Sequence, residues 1–227
     1  MDGDVGSAIE ECRTSRSFDV PTLLANLESG TPAERQQAVR TIAAHVNDQP
    51  DACLATVPKL RTLLGEPSTD CHEEVATCLA ELAAYSPTDV APSTDSIVAF
   101  VADKPAHAAT PILVRCLESI ATVRPAALTG HVAELASGFA CDDPDVRAGI
   151  GALFVRIATS TDATLEGADE RLIELLADDH AVVRSRACLA LGHGNVTDAR
   201  DRLETLAADD PDSTVREHAS RAVERLS

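Results

Sequence analysis

The sequence has no tryptophan, one methionine and one tyrosine, and its four phenylalanines bring the aromatic share to only 2%. An interior without large rings has to be filled by alanine, leucine and valine, so the elements that share it approach one another closely. Lysine is almost missing as well. Lys59 and Lys104 are the only two among 19 basic residues, set against 37 acidic ones, for a formal net charge of −18. Nucleic-acid binding draws most of its strength from Lys and Arg on phosphates, and no basic run is present, so DNA and RNA are not expected partners. No stretch approaches the ~20 apolar residues of a membrane span. The opening Met1-Asp2-Gly3-Asp4-Val5-Gly6 lacks the basic start and apolar core of a signal peptide. The expectation is a cytoplasmic protein with no membrane partner.

Paired cysteines are missing too. Seven cysteines occur at 12, 53, 71, 78, 116, 141 and 188, with no Cys-x-x-Cys spacing among them. Cys78, Cys116 and Cys188 fall at apolar helix positions, where a free thiol behaves as a small hydrophobe. They are expected as core thiols, and neither a cofactor nor a metal is expected.

What is present is a repeat. Asp178-Asp179-His180-Ala181-Val182-Val183-Arg184-Ser185-Arg186-Ala187-Cys188-Leu189-Ala190-Leu191-Gly192 reads as an acidic turn, an amphipathic helix and a glycine stop. Copies start at Asp142-Asp143 and Asp209-Asp210. Their arginines, Arg147, Arg184 and Arg216, stand 37 and 32 residues apart, a period that marks a stacked array. Alternation of period two, the sign of a strand, is found nowhere.

Helical periodicity and turn residues give six helix pairs. They are expected at about 19–28 with 32–46, 52–64 with 69–85, 96–102 (or from near Pro92) with a partner from His107 or Thr110 to Val123, 128–140 with 144–158, 168–177 with 180–191, and 197–207 with 213–226. Asp19 and Thr31 are candidate N-caps, each followed by an early proline. Residues 1–18 form an N-terminal arm or capping helix, with Val5 to Cys12 as its amphipathic segment. Residues 19–227 form the array, degenerate over 19–127 and regular over 128–227.

Aligned in this way, the units resemble HEAT repeats, and the last three look like the short type named after phycobilin lyases. The residues that carry the likeness are Asp178-Asp179, Val183-Arg184, Ala187 and Ala190-Leu191-Gly192, matched by Asp209-Asp210, Val215-Arg216, Ala219 and Ala222-Val223. Asp142 and Arg147 begin the copy before them. In the second unit Ala76 stands where the arginine belongs, and the third has Val114-Arg115 without an acidic turn. The resemblance implies an all-α, right-handed α-α superhelix whose second helices line a concave face. Candidate protein-binding residues on that face are Gln37, Arg40, Glu74, Glu81, Glu118, Arg156, Arg186 and Arg221. In the turn motif an aspartate favours the positive end of the following helix, and the arginine reaches acidic groups of its own or a neighbouring unit.

The resemblance also brings in enzymes. Deoxyhypusine hydroxylase, of HEAT-like fold, holds two irons through several His-Glu pairs, but this sequence has only His72-Glu73. HEAT-like DNA glycosylases need a basic, aromatic groove that this composition does not supply. The expected function is therefore a non-catalytic scaffold or adaptor whose partner is another protein, with a monomer favoured. A taxis-signalling adaptor linking chemotaxis proteins to the motor is the more specific role the resemblance admits, and a metal-dependent hydroxylase the remote one. The acidic, Asp-rich, Lys-poor composition points to an extreme halophile. Transfer from molar salt to ~0.05 M lengthens the Debye length severalfold, so the melting temperature should fall markedly. Thermal denaturation across that range checks it, and an unchanged midpoint would contradict the reading.

Overall fold

The computed structural model describes residues 18–67 and 69–227. Segment Val5 to Cys12 lies outside the described residues. Among those described there is no strand. The fourteen α-helical segments fall into the six expected pairs.

The first pair is α1 (Val20–Ser29) with α2 (Pro32–His45). The outer side of the second pair is split into α3 (Pro50–Cys53), a 3-10 turn Leu54–Thr56 and α4 (Val57–Leu64), and its inner helix is α5 (His72–Tyr85). The third repeats the split with α6 (Pro87–Val90), the turn Ala91–Ser93 and α7 (Thr94–Asp103), then α8 (Thr110–Val123). The fourth has a 3-10 segment Pro125–His131, α9 (Val132–Ser137) and a turn Gly138–Ala140 against α10 (Pro144–Ser160). The fifth has α11 (Asp169–Glu174) with turn Leu175–Ala177 against α12 (Ala181–His193). The sixth has turn Thr197–Ala199 and α13 (Arg200–Asp209) against α14 (Ser213–Arg225).

Periodicity predicts unbroken outer helices over 52–64 and 128–140. The structure breaks both. Pro58 sits in the first turn of α4, and its missing N–H and restricted predecessor end the segment before it. Pro92 does the same before α7. Pro125, Gly130 and Gly138 keep most of 125–140 in 3-10 form. The inner helices carry proline only in their first turns and run without interruption.

At α2 the local rules act together. Thr31 Oγ1 accepts from the Glu34 N–H while the Glu34 carboxylate accepts from the Thr31 N–H at 2.7 Å, a reciprocal cap, with Pro32 at the first helical position. Asp143 caps α10 and Asp212 caps α14, each by accepting backbone N–H groups from the first turn. Asp178 does not cap α12. That position belongs to His180, and Asp178 accepts the His180 N–H from outside the helix.

The inner helices α2, α5, α8, α10, α12 and α14 pack each on the next, and the outer ones lie against them, so the core is one continuous apolar layer running the length of a solenoid. Leu60, Leu79, Leu82, Ile97, Leu113, Leu117, Ile120 and Phe154 are fully buried along it. Small residues set the spacing. A Cβ on Gly192 would stand 2.7 Å from both Cα and Cβ of Ala222, so α12 and α14 meet backbone to backbone there. Gly149 likewise lies against Val114 of α8. Gly151 lies against Arg186 of α12, so the two glycines together close the α8–α10–α12 seam.

All six described cysteines are free and buried. The Cys78 thiol donates to Val39 O and Cys116 to Leu79 O, each on the inner helix before it. Burial pushes the thiols of Cys78, Cys116 and Cys188 up to about 12.

A Gly192→Val substitution should overpack the α12–α14 seam and cost ~1–3 kcal/mol. Chemical denaturation should show a lower midpoint, whereas Gly130→Val, with nothing within 4 Å of its would-be Cβ, should cost less.

Candidate functional site

Two sets of arginines distinguish the inner layer. One joins the units; the other faces a groove.

The joining set sits at the fourth position of four inner helices. Arg184 donates through Nη1 to the carbonyls of Asp178 and Asp179 in its own turn, and through Nε and Nη2 to both carboxylate oxygens of Asp210 in the next unit, at 2.8 and 2.9 Å. Arg147 repeats this, with Nη1 on the Cys141 and Asp142 carbonyls and a bidentate grip on Asp178 at 2.7 and 3.1 Å. Arg35 uses the same position, reaching Gly30 O and, at 2.9 Å, Glu66. Such forks combine charge with fixed geometry. The Asp210 side chain is 2% exposed and that of Arg184 11%.

The motif register differs from the sequence alignment at several points. The residue gripped by the preceding unit is Asp210, while Asp209 is exposed. Asp142 contributes only its backbone carbonyl, and the position equivalent to Asp178 and Asp210 is Cys141. The reason is reciprocal. The arginine position of α8 is Leu113, fully buried, so no guanidinium reaches forward, and the Cys141 thiol instead donates to Pro105 O at 3.0 Å. In α5 the equivalent residue is Val75 rather than Ala76. Arg115 lies two positions beyond Leu113 and takes no part in the joining set. Arg216 holds the Asp210 and Pro211 carbonyls.

These contacts set the titration of the aspartates. The hydrogen bonds from Arg184 hold the Asp210 carboxyl below the usual carboxylate range against the opposing effect of burial. Burial acts to raise Asp178, but the Arg147 fork and the His180 N–H outweigh it and lower the group.

The second set faces a groove of about 670 Å³ shared by α5, α8, α10 and α12. Ala80, Ala84, Ala121 and Ala152 form its floor, and Arg115, Glu118, Arg156 and Arg186 its polar lining. Three of the eight sequence-picked candidates, Glu118, Arg156 and Arg186, are brought together there. Glu118 is half-buried. Desolvation raises its carboxyl above the ordinary value, and Arg186 and Arg115 act in the opposite direction.

The other five candidates lie elsewhere on the inner layer. Gln37 and Arg40 are exposed on α2, and Arg40 pairs with Glu74 of α5 at 3.6 Å. Glu81 pairs with Arg115 at 3.7 Å. Arg221, exposed on α14, pairs with Glu217 one turn earlier and borders a small cavity with His218 and Arg225. Arg115 was not among the candidates, because Val114-Arg115 imitates the joining dipeptide. The helix start at Thr110 shows the difference, placing Arg115 at the sixth position, where Arg186 also sits. Gly149, at the sixth position of α10, lines a second cavity of about 310 Å³ that Arg115 and Arg186 also border.

His72 is 6% exposed and packs on Phe100 and His107, with ring centroids 5.2 and 5.6 Å away. Its neighbours are thus rings rather than a second His-Glu pair. Among the described residues no three His, Cys, Asp or Glu side chains are grouped to hold a metal ion.

The architecture is that of an all-α solenoid of stacked helix pairs. Residues 169–227, the last two helix pairs, match the family model for HEAT repeats. No curated protein matches the chain in sequence. Among solved structures, computationally designed armadillo repeat proteins for modular peptide recognition are similar at TM-score 0.75 and 18% identity, over 92% of this chain and 100% of that one. A designed armadillo repeat protein in complex with the peptide (KR)4 is similar at TM-score 0.71 and 18% identity, with the same coverage. An engineered protein from the Northeast Structural Genomics Consortium reaches TM-score 0.68 and 21% identity, over 92% of this chain and 96% of that one.

Arg184→Ala should strand the Asp210 carboxylate and cost ~1–3 kcal/mol, with Arg184→Ala/Asp210→Ala losing less. Because the folded Asp210 carboxyl titrates below its unfolded value near 4, the stabilisation is present above that value and disappears as pH falls through the folded one. Urea denaturation at about pH 6 and about pH 3 should show the native chain's advantage over the double variant shrinking in acid.

Proposed function

We propose that the protein is a non-catalytic scaffold that binds another protein along the exposed side of its inner helices. The observation that carries this reading is the groove across α5, α8, α10 and α12. It is open, floored by alanines and lined by charged side chains that stacking does not consume. A surface of this form suits an extended segment laid across successive helices, with small side chains below and polar groups at the rim. The designed armadillo repeat proteins of similar fold, one made for modular peptide recognition and one in complex with a peptide, support the same use of the fold.

The acidic surface, with arginine in place of lysine, supports a cytoplasm of high salt, where screening removes self-repulsion and carboxylates keep the chain soluble. No described helix is long and apolar enough to cross a membrane. The taxis adaptor and the short phycobilin-lyase repeat type gain no support from any one residue of the groove.

Photo-crosslinking tests the proposal. A photoreactive residue at position 119 or 152 in the groove should capture a discrete protein from native high-salt lysate, and the same residue at position 170 on α11 should not. Equal capture at all three positions, or none at 119 and 152, would overturn it.

A further inference from the structure

The partner's chemistry can be read from the charge of the groove. The chain carries 37 acidic residues against 19 basic ones, yet the groove lining holds three arginines and one carboxylate. Arg115 is partly neutralised by Glu81. Arg156 and Arg186 form no ion pair within 4 Å among the described residues, although most arginines of the inner layer do. Arg186 stands across from Glu118, which points into the same space, and Arg156 is exposed beside Thr159 one turn further along α10. On a surface of the opposite sign, Arg115, Arg156 and Arg186 against Glu118 and the Glu81 partner of Arg115 leave a small positive island above an alanine floor.

Resting on the scaffold reading, we propose that this groove takes an extended acidic peptide segment, with Arg156 and Arg186 holding its carboxylates. Guanidinium and carboxylate match as planar, bidentate partners. The surrounding negative surface repels acidic chains everywhere else, so the island selects by position as well as by sign. Ala80, Ala84 and Ala152 leave room for a main chain to lie close to the helices. The helices flanking the groove are roughly 10 Å apart, so crossing from α8 to α12 takes roughly six extended residues at about 3.3 Å each. The preference is opposite to that of the designed neighbour whose peptide is (KR)4.

Fluorescence anisotropy of the full chain with labelled hexaglutamate, with (KR)4 and with a neutral hexapeptide of serine and glycine tests the inference. Hexaglutamate should bind best, and its affinity should fall as salt rises. Arg156→Ala/Arg186→Ala should weaken it roughly tenfold, while Arg171→Ala on α11 should leave it unchanged. Circular dichroism of each variant separates lost binding from lost folding. Preferential binding of (KR)4 or of the neutral peptide would overturn the acidic specificity and leave the scaffold reading standing. Binding of none of the three would also overturn it, with the scaffold reading then judged by crosslinking alone. Equal loss in the Arg171→Ala variant would place the contact outside the groove.

Discussion

The structure depends on one divided side chain. A guanidinium at the fourth position of an inner helix satisfies its own turn with one nitrogen and the next unit's aspartate with the other two. The first contact fixes the turn that starts the helix; the second fixes where the following helix pair lies. Apolar stacking supplies most of the driving force in a solenoid, but it is non-directional. The fork gives that layer its register, and it does so where burial makes an unmatched carboxylate costly.

The middle of the array shows what happens when the fork is withdrawn. With Leu113 in place of arginine, the next unit has the Cys141 thiol where the last two have Asp178 and Asp210, and Gly149 brings α10 onto Val114 of α8. This is the region where the groove opens. The residues that would have been spent on joining are apolar there, and the arginines that remain, Arg115 and Arg156, stand on the open side.

Much of this was legible in the sequence. Helical periodicity, proline and glycine punctuation and the recurring Val-Arg pair mark six pairs, the inner helices and the cap at Thr31, whereas Asp19 stands at the N-cap of α1 without a side-chain bond to the helix backbone. The register of the turn was not legible. Asp209 and Asp210 are adjacent and chemically identical, and only the three-dimensional reach of Arg184 separates the buried one from the exposed one. Arg115 was misjudged for a similar reason, since a dipeptide does not reveal its distance from a helix start. The splitting of outer helices also escaped a pattern of period 3.6, because a 3-10 turn keeps the apolar residues nearly in phase while changing the hydrogen bonds. Of the eight residues chosen from helix faces, three converge on one groove, because sequence gives the face of a helix but not the spacing between helices.

Three of the units also carry sealed thiols on their inner helices. Cys78, Cys116 and Cys188 belong to the second, third and fifth inner helices, and each is too buried and too poorly ionised to react while the stack is closed. Their alkylation therefore requires local opening, and the order in which they are labelled is a clock that records where along its length the solenoid first comes apart.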